Sequence, residues 1–286
     1  MCLIRTVSEL KAWFAKIDRR SMSLGFVPTM GYLHEGHCSL IKTAKAQNEL
    51  VVVSVFINPT QFASNEDFEN YPNDIDRDYK LATYSGADAV FYPEVGEIYV
   101  PGSSTVIEVL GDMTKKLCGV TRPMHFRGVT TIVGILFNIV RPNKAYFGQK
   151  DAQQALIIKK MVMDLHVPVE IIVCPTIRES DGLAMSSRNV YLSPEERTQA
   201  ICINDAFQKA EEYIRANNCI SVLQLFKIIE SHICRYDLMR IEYIQILDSD
   251  TLENITSIES GKIILVAVAA KCGKTRLIDN KMLSIT

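Results

Sequence analysis

The stretch "FVPTMGYLHEGH", residues 26–37, contains the change from strand to helix on which the fold depends. The apolar run at 24–27 predicts a buried strand, and Pro28 is expected to end it because proline has no backbone N–H to donate to a sheet. Residues 36–47 carry apolar side chains at helical spacing and predict a helix. Two histidines, three positions apart, therefore stand on the turn between a strand and a helix.

Strands and helices alternate along the chain as far as about residue 175. The clearest strand is "LVVVSVFI", 50–57, whose β-branched residues suit a strand buried on both faces. The other segments predicted in this region are helices at 6–20, 74–86, 128–140 and 152–165, and strands at 88–93, 145–148 and 169–175. This alternation predicts an α/β fold, a Rossmann-like doubly wound parallel sheet with helices on both faces.

The pattern changes after residue 175. Ser193, Pro194 and Glu196 form a strong helix start, with serine as the N-cap, proline first inside the helix and glutamate at the third position. The segments predicted beyond residue 190 are helices at 194–217 and 221–233 and strands at 240–248 and 261–270. We therefore predict two domains, a Rossmann-like domain over residues 1–176 and a smaller α+β domain over residues 177–286.

The composition excludes several classes of protein. The 286 residues have a formal net charge of −2 and a pI of about 6.2, which does not fit a nucleic-acid binder. The 8 cysteines include no C-x-x-C pair, so neither a disulfide scaffold nor a zinc knuckle is expected. Residues 1–20 lack the apolar core of a signal peptide, and the longest apolar stretch, 128–140, is too short to span a bilayer. We expect a soluble cytoplasmic protein that binds neither nucleic acid nor membranes.

His34 and His37 do not form the zinc motif H-E-x-x-H, because they are three positions apart and Gly36 lies between them. In open parallel sheets, ligands collect at the carboxyl ends of the strands, and helix N-termini there offer free N–H groups to phosphate. Two imidazoles on such a turn can donate hydrogen bonds to a polyphosphate and to the charge that develops during its transfer. The alternative is a pair of surface histidines on a loop.

A second turn, 148–151, repeats this order of strand end, glycine, polar turn and helix. Lys150 on this turn suits phosphate as a point charge. Asp151 is a candidate to cap the helix, to bind a sugar hydroxyl or to approach Mg²⁺, and Asp78 is a second candidate for Mg²⁺. An ordinary helix cap is the alternative for this turn.

The loop "GLAMSSRN", 182–189, lies at the predicted domain junction. It presents two hydroxyls and a guanidinium in succession, from Ser186, Ser187 and Arg188. A loop of this kind can fold over the phosphates of a nucleotide and open again after reaction. The alternative is a polar linker between domains.

The stretch "KCGKT", 271–275, is not a P-loop, because the glycine required five positions before Gly273 is Val268. No G-x-G-x-x-G is present either. If this protein binds a nucleotide, it does so without either of these glycine-rich loops.

The stretch "NPTQF", 58–62, directly follows the predicted strand at 50–57. Its two amides, Asn58 and Gln61, are therefore expected on the same rim of the sheet as the histidines. Buried amides suit a neutral, hydroxyl-bearing group of a substrate.

Four stretches together resemble the pantoate–β-alanine ligases, also called pantothenate synthetases. They are "PTMGYLHEGHCSLI", "VVVSVFINPTQF", "YFGQKDAQQ" and "RESDGLAMSSRNVYL", and the likeness runs from about residue 26 to the closing "KTRLIDN". The first and fourth stretches also resemble the HIGH and KMSKS signatures of the wider nucleotidyltransferase superfamily. The resemblance implies ATP-dependent condensation of pantoate with β-alanine through an enzyme-held pantoyl adenylate, with release of pyrophosphate and AMP.

The resemblance also implies roles for individual residues. His37 matches the residue given the proton-donor role, and with His34 and Lys150 it is a candidate catalytic group. Gln61 matches a contact to pantoate and β-alanine, and Gln154 matches a second contact to pantoate. The implied ATP-binding residues are Met30, Gly31, Tyr32, Leu33, His34, Glu35, Gly36, His37, Gly148, Gln149, Lys150, Asp151, Ile177, Met185, Ser186, Ser187 and Arg188. Members of the family are typically dimers that use Mg²⁺.

The chain departs from the family pattern at three positions. Met124 stands where glycine is usual before His125, and a methionine would be costly there if the turn needed a positive φ. That cost would bear on any role of His125 or of Arg122. Thr60 replaces a more usual methionine and is expected to alter the shape of the pocket. Cys38 has no evident chemical role.

Two other functions fit parts of the sequence. A nucleotidyltransferase of the same superfamily would make a dinucleotide or CDP product, in which the acceptor keeps the nucleotidyl group. A non-catalytic nucleotide sensor would bind ATP without releasing pyrophosphate. The products formed from ATP distinguish these alternatives from the ligase.

Overall fold

The computed structural model of the protein describes residues 1–18, 21–63, 68–217 and 219–285. Its strands are β1 (Cys2–Ile4), β2 (Leu24–Thr29), β3 (Leu50–Val55), β4 (Ala89–Phe91), β5 (Lys144–Gly148), β6 (Glu170–Cys174), β7 (Met239–Asp248), β8 (Ile263–Cys272) and β9 (Thr275–Ser284). Its α-helices are α1 (Val7–Phe14), α2 (Glu35–Gln47), α3 (Ile75–Tyr84), α4 (Val95–Ile98), α5 (Cys118–Thr121), α6 (His125–Val140), α7 (Ala152–Asp164), α8 (Pro194–Ala200), α9 (Cys202–Ala216) and α10 (Val222–Ile233).

Six parallel strands form the main sheet, in the order β1-β4-β3-β2-β5-β6. The central strand β2 pairs with β3 on one side and with β5 on the other, so that Phe26 lies opposite both Val52 and Ala145. The chain therefore moves outward from β2 in both directions. Ligands in open α/β sheets bind at such a switch point, outside the carboxyl ends of the strands.

Apolar side chains cover both faces of this sheet, as a doubly wound fold requires. Successive residues of β2 point to opposite faces, and both Phe26 and Val27 are fully buried. Phe26 packs in a core with residues of α1, α6 and α7, whereas Val27 packs in a second core with residues of α2 and α3. The predicted Rossmann-like fold class is confirmed.

A smaller antiparallel sheet, in the order β7-β8-β9, packs with α8, α9 and α10 around a separate apolar core. The third strand of this sheet, β9, was absent from the sequence prediction. Its segment carries buried Asp279 and Asn280, so it lacks the apolar pattern of a buried strand. Gly273 has φ +56° in the tight turn from β8 to β9. The stretch 271–275 is thus a hairpin turn, in agreement with the rejection of a P-loop.

Several predicted boundaries are wrong by one turn or more. The helix predicted at 6–20 ends at Phe14, because Lys16 and Ile17 bond carbonyls only three residues back; residues 19 and 20 lie outside the described part of the chain. The helix predicted at 194–217 is two helices, since the N–H of Asn204 bonds the carbonyl of Ile201, again three residues back. Strand β2 continues through Pro28, which its place near the strand end permits. Strand β1 was not predicted, and α6 begins three residues earlier than expected.

The division of the chain at residue 176 remains a prediction. The last strand of the parallel sheet ends at Cys174, and the first strand of the antiparallel sheet begins at Met239. Over the residues that the structure describes, no helix combines the length and the apolar character needed to cross a bilayer.

Candidate active site

A cavity of about 380 Å³ opens at the carboxyl ends of β2, β3 and β5. Its volume is in the range of small-molecule sites. The predicted site residues that line it are Met30, His34, Gly36, His37, Gln61, Gly148, Lys150, Asp151, Gln154, Ile177, Met185, Ser186, Ser187 and Arg188. The predicted positions outside this lining are Gly31, Tyr32, Leu33, Glu35 and Gln149. The parallel sheet thus brings the histidine turn, the lysine turn and the serine loop to one place.

The turn after β2 is left-handed and is held by one carboxylate. Gly31 has φ +90° and Tyr32 has φ +51°. The N–H groups of Tyr32 and Leu33 donate to Asp78 Oδ2 and Oδ1, at 2.7 and 2.6 Å. Asp78 lies on α3 and is fully buried. The chain then enters α2 with its backbone direction set.

The two histidines are joined through the first turn of α2. The N–H of Gly36 donates to His34 Nδ1 at 3.1 Å, and the N–H of His34 donates to His37 Nδ1 at 3.3 Å. A backbone N–H can only donate, so both Nδ1 atoms are acceptors and the proton of each neutral ring lies on Nε2. The ring centres are 4.1 Å apart. Both residues line the cavity, and each ring keeps an Nε2–H free of these turn bonds as a donor to a ligand.

Both imidazoles are neutral at pH 7. Burial, followed by the charge of Lys150, lowers the pKa of His34 from its usual 6.5 to about 4. Burial, His34 and then Lys150 hold the pKa of His37 well below 6.5. Hydrogen bonding to phosphate through Nε2–H therefore requires no imidazolium.

This neutrality predicts a titration. The ring of His34 is expected to protonate with a midpoint near pH 4 rather than 6.5, because the buried site opposes the charged form. Below pH 6.5 the unfolded chain binds more protons than the folded protein, so stability present above 6.5 is lost as the pH falls toward 4. Histidine-ring NMR against pH, assigned with His34→Gln, and urea melts at both ends of the window measure these effects. A midpoint near 6.5 would contradict the prediction.

The second turn, after β5, is held by β9. Asn280 Nδ2 donates to the carbonyls of Gln149 and Lys150, at 3.0 and 2.8 Å, and Gln149 Nε2 donates back to Asn280 Oδ1 at 3.0 Å. Asp279 is bound by both terminal nitrogens of Arg178, at 2.6 and 3.2 Å. Among the described residues, no carboxylate pairs with the Lys150 ammonium. Its charge is therefore available to an anionic ligand.

The serine loop docks against the segment before α3. Ser187 Oγ and the Tyr71 hydroxyl are 2.9 Å apart, and the Arg188 guanidinium lies 5.7 Å from the centre of the Tyr71 ring. Ser186 Oγ accepts the N–H of Arg188, which begins a short 3₁₀ turn. The N–H of Met185 bonds the carbonyl of Ile177. This loop covers the cavity from the side of the smaller sheet.

The amide of Gln61 has a defined orientation. Asn58 Oδ1 accepts the N–H of Thr60, and Asn58 Nδ2 donates to the carbonyl of Gly128 at 3.2 Å. These two backbone partners fix the amide of Asn58, whose Nδ2 then donates to Gln61 Oε1 at 3.1 Å. The Nε2 of Gln61 lies 2.7 Å from Met30 Sδ and faces the cavity as a donor.

The three departures from the family pattern cause no strain in the backbone. Met124 has φ −94°, so the turn before α6 does not need glycine and the expected cost does not arise. His125 and Arg122 both bond the carbonyl of Gln61, at 2.8 and 3.2 Å. Thr60 Oγ1 donates to Asn58 Oδ1 and so joins the amide network. Cys38 is a buried apolar side chain of α2.

Sequence reasoning missed the residues that hold the motifs in place. They are Asp78 as the anchor of the first turn, Asn280 as the anchor of the second, and Tyr71 beneath the serine loop. The closing "KTRLIDN" contained Asn280 and was the only signal for it. Asp78 was named as a metal candidate, and the structure instead shows both of its oxygens bonded to backbone N–H groups.

Comparisons with known proteins agree with this geometry. Residues 2–282 match the family described as pantoate-beta-alanine ligase. The pantothenate synthetases of Thermotoga neapolitana and Acetivibrio thermocellus are 50% and 51% identical to the chain, over 99% and 100% of it and 100% of each relative.

Solved structures extend the similarity to the whole fold. A pantothenate synthetase from Thermus thermophilus has a TM-score of 0.92 at 42% identity, covering 98% of this chain and 99% of that one. A Francisella tularensis pantoate-beta-alanine ligase, complexed with beta-gamma ATP and beta-alanine, has a TM-score of 0.79 at 34% identity, over 99% and 97% of the two chains. The likeness in sequence and in fold covers nearly the whole chain, which therefore belongs to the pantoate–β-alanine ligase family.

Proposed function

We propose that the protein joins pantoate to β-alanine in an ATP-dependent reaction, through a pantoyl adenylate, and releases AMP and pyrophosphate. The observation that supports this most directly is the pair of neutral imidazoles, His34 and His37, each with an Nε2–H that the turn leaves unbound. Lys150 lines the same cavity with an ammonium that no described carboxylate pairs with. Such groups suit a polyphosphate whose charge shifts during reaction.

The first step is attack on phosphorus. A carboxylate oxygen of pantoate forms a bond to the α-phosphorus of ATP, and the bond to the bridging oxygen breaks, so that pyrophosphate leaves with the electron pair. Negative charge grows on the phosphoryl oxygens. His37 Nε2–H, the Lys150 ammonium and Arg188 are the donors we assign to them. Catalysis by these groups is positioning and electrostatic stabilisation, with no covalent enzyme intermediate.

The second step is attack on carbon. The neutral amine of β-alanine attacks the acyl carbon of the adenylate, the acyl–oxygen bond breaks, AMP leaves and the amine loses its proton. We assign pantoate to Gln61 and Gln154, which line one cavity. The amide orientation of Gln61 presents Nε2–H to an oxygen of the substrate. The contact of Gln61 to β-alanine is assigned on the family resemblance.

Mg²⁺ fits the site as a companion of ATP rather than as an ion held by a protein cage. No group of three or more His, Cys, Asp or Glu side chains in the described parts of the chain can hold a metal ion. Mg²⁺ usually binds through one or two carboxylates together with substrate phosphates. Asp151 is exposed and lines the cavity, so it fits such a contact, whereas buried Asp78 does not. Mg²⁺ would neutralise phosphate charge.

The family resemblance also supports two coarser assignments. We propose that the protein is a homodimer and acts in the cytoplasm. Light scattering of the purified protein tests the first, with the mass of two 32.2 kDa chains as the expected result.

The test of the function is a pyrophosphate assay. Enzyme mixed with MgATP and pantoate, without β-alanine, is expected to release about one equivalent of pyrophosphate per site and then stall, because the adenylate stays bound. Adding β-alanine is expected to restart turnover and to yield AMP and pantothenate. Release only in the presence of β-alanine would contradict a separate adenylation step, and orthophosphate would rule out attack at the α-phosphorus. A nucleotidyl adduct that persists instead of AMP would indicate the nucleotidyltransferase.

A further inference from the structure

We propose that Asp78 is a positioning residue, whose buried carboxylate holds the left-handed turn after β2 and so aims the Nε2–H groups of His34 and His37 into the cavity. The inference rests on the proposed function for its kinetic test. It assigns to Asp78 a role in the geometry of phosphate binding, through the backbone, without contact to the substrate.

The turn needs an external anchor because its backbone is unfavourable. Tyr32 has φ +51°, a conformation that costs a residue with a side chain free energy, and Gly31 has φ +90°. A Cβ at Gly31 would lie 2.9 Å from Val55 Cγ1 and 3.0 Å from Asp78 Oδ2. Only glycine therefore fits beside the carboxylate, and Tyr32 must be held in a conformation that it would not adopt alone.

Asp78 provides this anchor with both of its oxygens. Oδ2 accepts the N–H of Tyr32 at 2.7 Å and Oδ1 accepts the N–H of Leu33 at 2.6 Å. The carboxylate is fully buried, so water does not compete for these bonds. Charge-assisted bonds of this length are strong. The neighbouring Arg77 adds to the hold, since its guanidinium lies 4.7 Å from the centre of the Tyr32 ring.

The held turn leads directly to the imidazoles. Leu33 immediately precedes His34, whose N–H donates to His37 Nδ1. The N–H of Gly36 donates to His34 Nδ1. Each ring is thus oriented by backbone groups within three residues of the carboxylate-bonded amides. A change in the direction of those amides changes both ring orientations and both tautomers together.

The test is the substitution Asp78→Asn with Asp76→Asn as its matched control. Asparagine keeps one acceptor but turns an NH₂ toward the second backbone N–H. Asp76 lies on the same helix, is exposed, and loses the same charge. The readout is the single-turnover rate constant for pyrophosphate release from MgATP and pantoate. We expect it to fall ~10- to 100-fold in Asp78→Asn and to stay at the parent value in the control, because misplaced donors cost rate.

The rate constant separates positioning from folding. A purely structural role lowers the fraction of active enzyme, which reduces the amplitude and leaves the rate constant unchanged. An unchanged rate constant at any amplitude would therefore overturn the proposal. Nitrogen-15 NMR of the histidine rings gives a readout independent of activity. In the parent protein both rings are expected as Nε2–H tautomers, and in Asp78→Asn as mixtures. Unaltered ring signals would also overturn it.

Two further observations keep the test decisive. If Asp78→Asn does not fold, hydrogen exchange in the unmodified protein decides, since amides of Tyr32 and Leu33 that exchange as fast as exposed ones would refute the clamp. If the parent enzyme releases no pyrophosphate, the proposed function fails, while the NMR and exchange results still test Asp78.

Discussion

The variant His37→Ala is expected to form the adenylate ~10²–10³-fold more slowly than the parent enzyme, which is about 2.7–4 kcal/mol of transition-state stabilisation. The structure presents His37 as a neutral donor with its proton on Nε2, in the lining of the cavity. A donor aimed at charge that grows only in the transition state lowers kcat when it is lost and changes ATP affinity little. Single-turnover pyrophosphate release at saturating ATP and pantoate measures the effect.

The structure supplies a matched variant for this experiment. His37 Nδ1 also accepts the N–H of His34, so His37→Ala removes a hydrogen bond of the turn as well as the donor. His37→Asn offers an acceptor at the same place but cannot reach as far into the cavity. If His37→Asn restored the rate, the imidazole would act by holding the turn. A His37→Ala enzyme within about threefold of the parent rate would have no catalytic His37. His34→Ala is expected to act mainly on ATP affinity.

The variant Lys150→Met is the second change with a large expected effect. Its kcat/KM for ATP is expected to fall ~10²–10³-fold, because the ammonium is a preorganised charge for the phosphates. Since no carboxylate among the described residues pairs with Lys150, its loss leaves no partner stranded. Stability is expected to change by no more than about 0.5 kcal/mol. Steady-state kinetics with ATP varied, together with urea melts, check both statements.

A second readout for Lys150 needs no activity. Lys150 is one cause, after burial, of the low pKa of His34. In Lys150→Met the NMR titration midpoint of His34 is therefore expected to rise above its value near 4, while Lys150→Arg keeps the charge and should keep the midpoint. A parent-like midpoint in Lys150→Met, with parent-like kinetics, would place the ammonium too far from the histidines and the phosphates for the role proposed.

Much of the fold was predictable because the strongest signals are local. The alternation of buried strands with amphipathic helices indicated the parallel sheet, and the capping box at Ser193 marked the start of α8. The predictions failed where tertiary contacts override local pattern. Strand β9 carries Asp279 and Asn280 in buried positions, which is unfavourable unless distant partners satisfy them. Arg178 and the carbonyls of the lysine turn do so.

The sequence alone determined which chemical groups the site contains. Polar turns after predicted strands must meet at one edge of a parallel sheet, and this placed both histidines, Lys150 and Gln61 on a common rim. Periodicity and motif spacing are properties of neighbouring residues, so they reach this far without any structure.

The tertiary structure alone decided how those groups are oriented. The amides of the histidine turn bond Asp78 across 45 and 46 positions, and Lys150 is held by Asn280 across 130 positions. The tautomers of the histidines follow from backbone N–H directions. Contacts between residues so far apart in the chain leave no periodic trace in the sequence, because they depend on where the fold brings two segments together and on the hydrogen bonds available there.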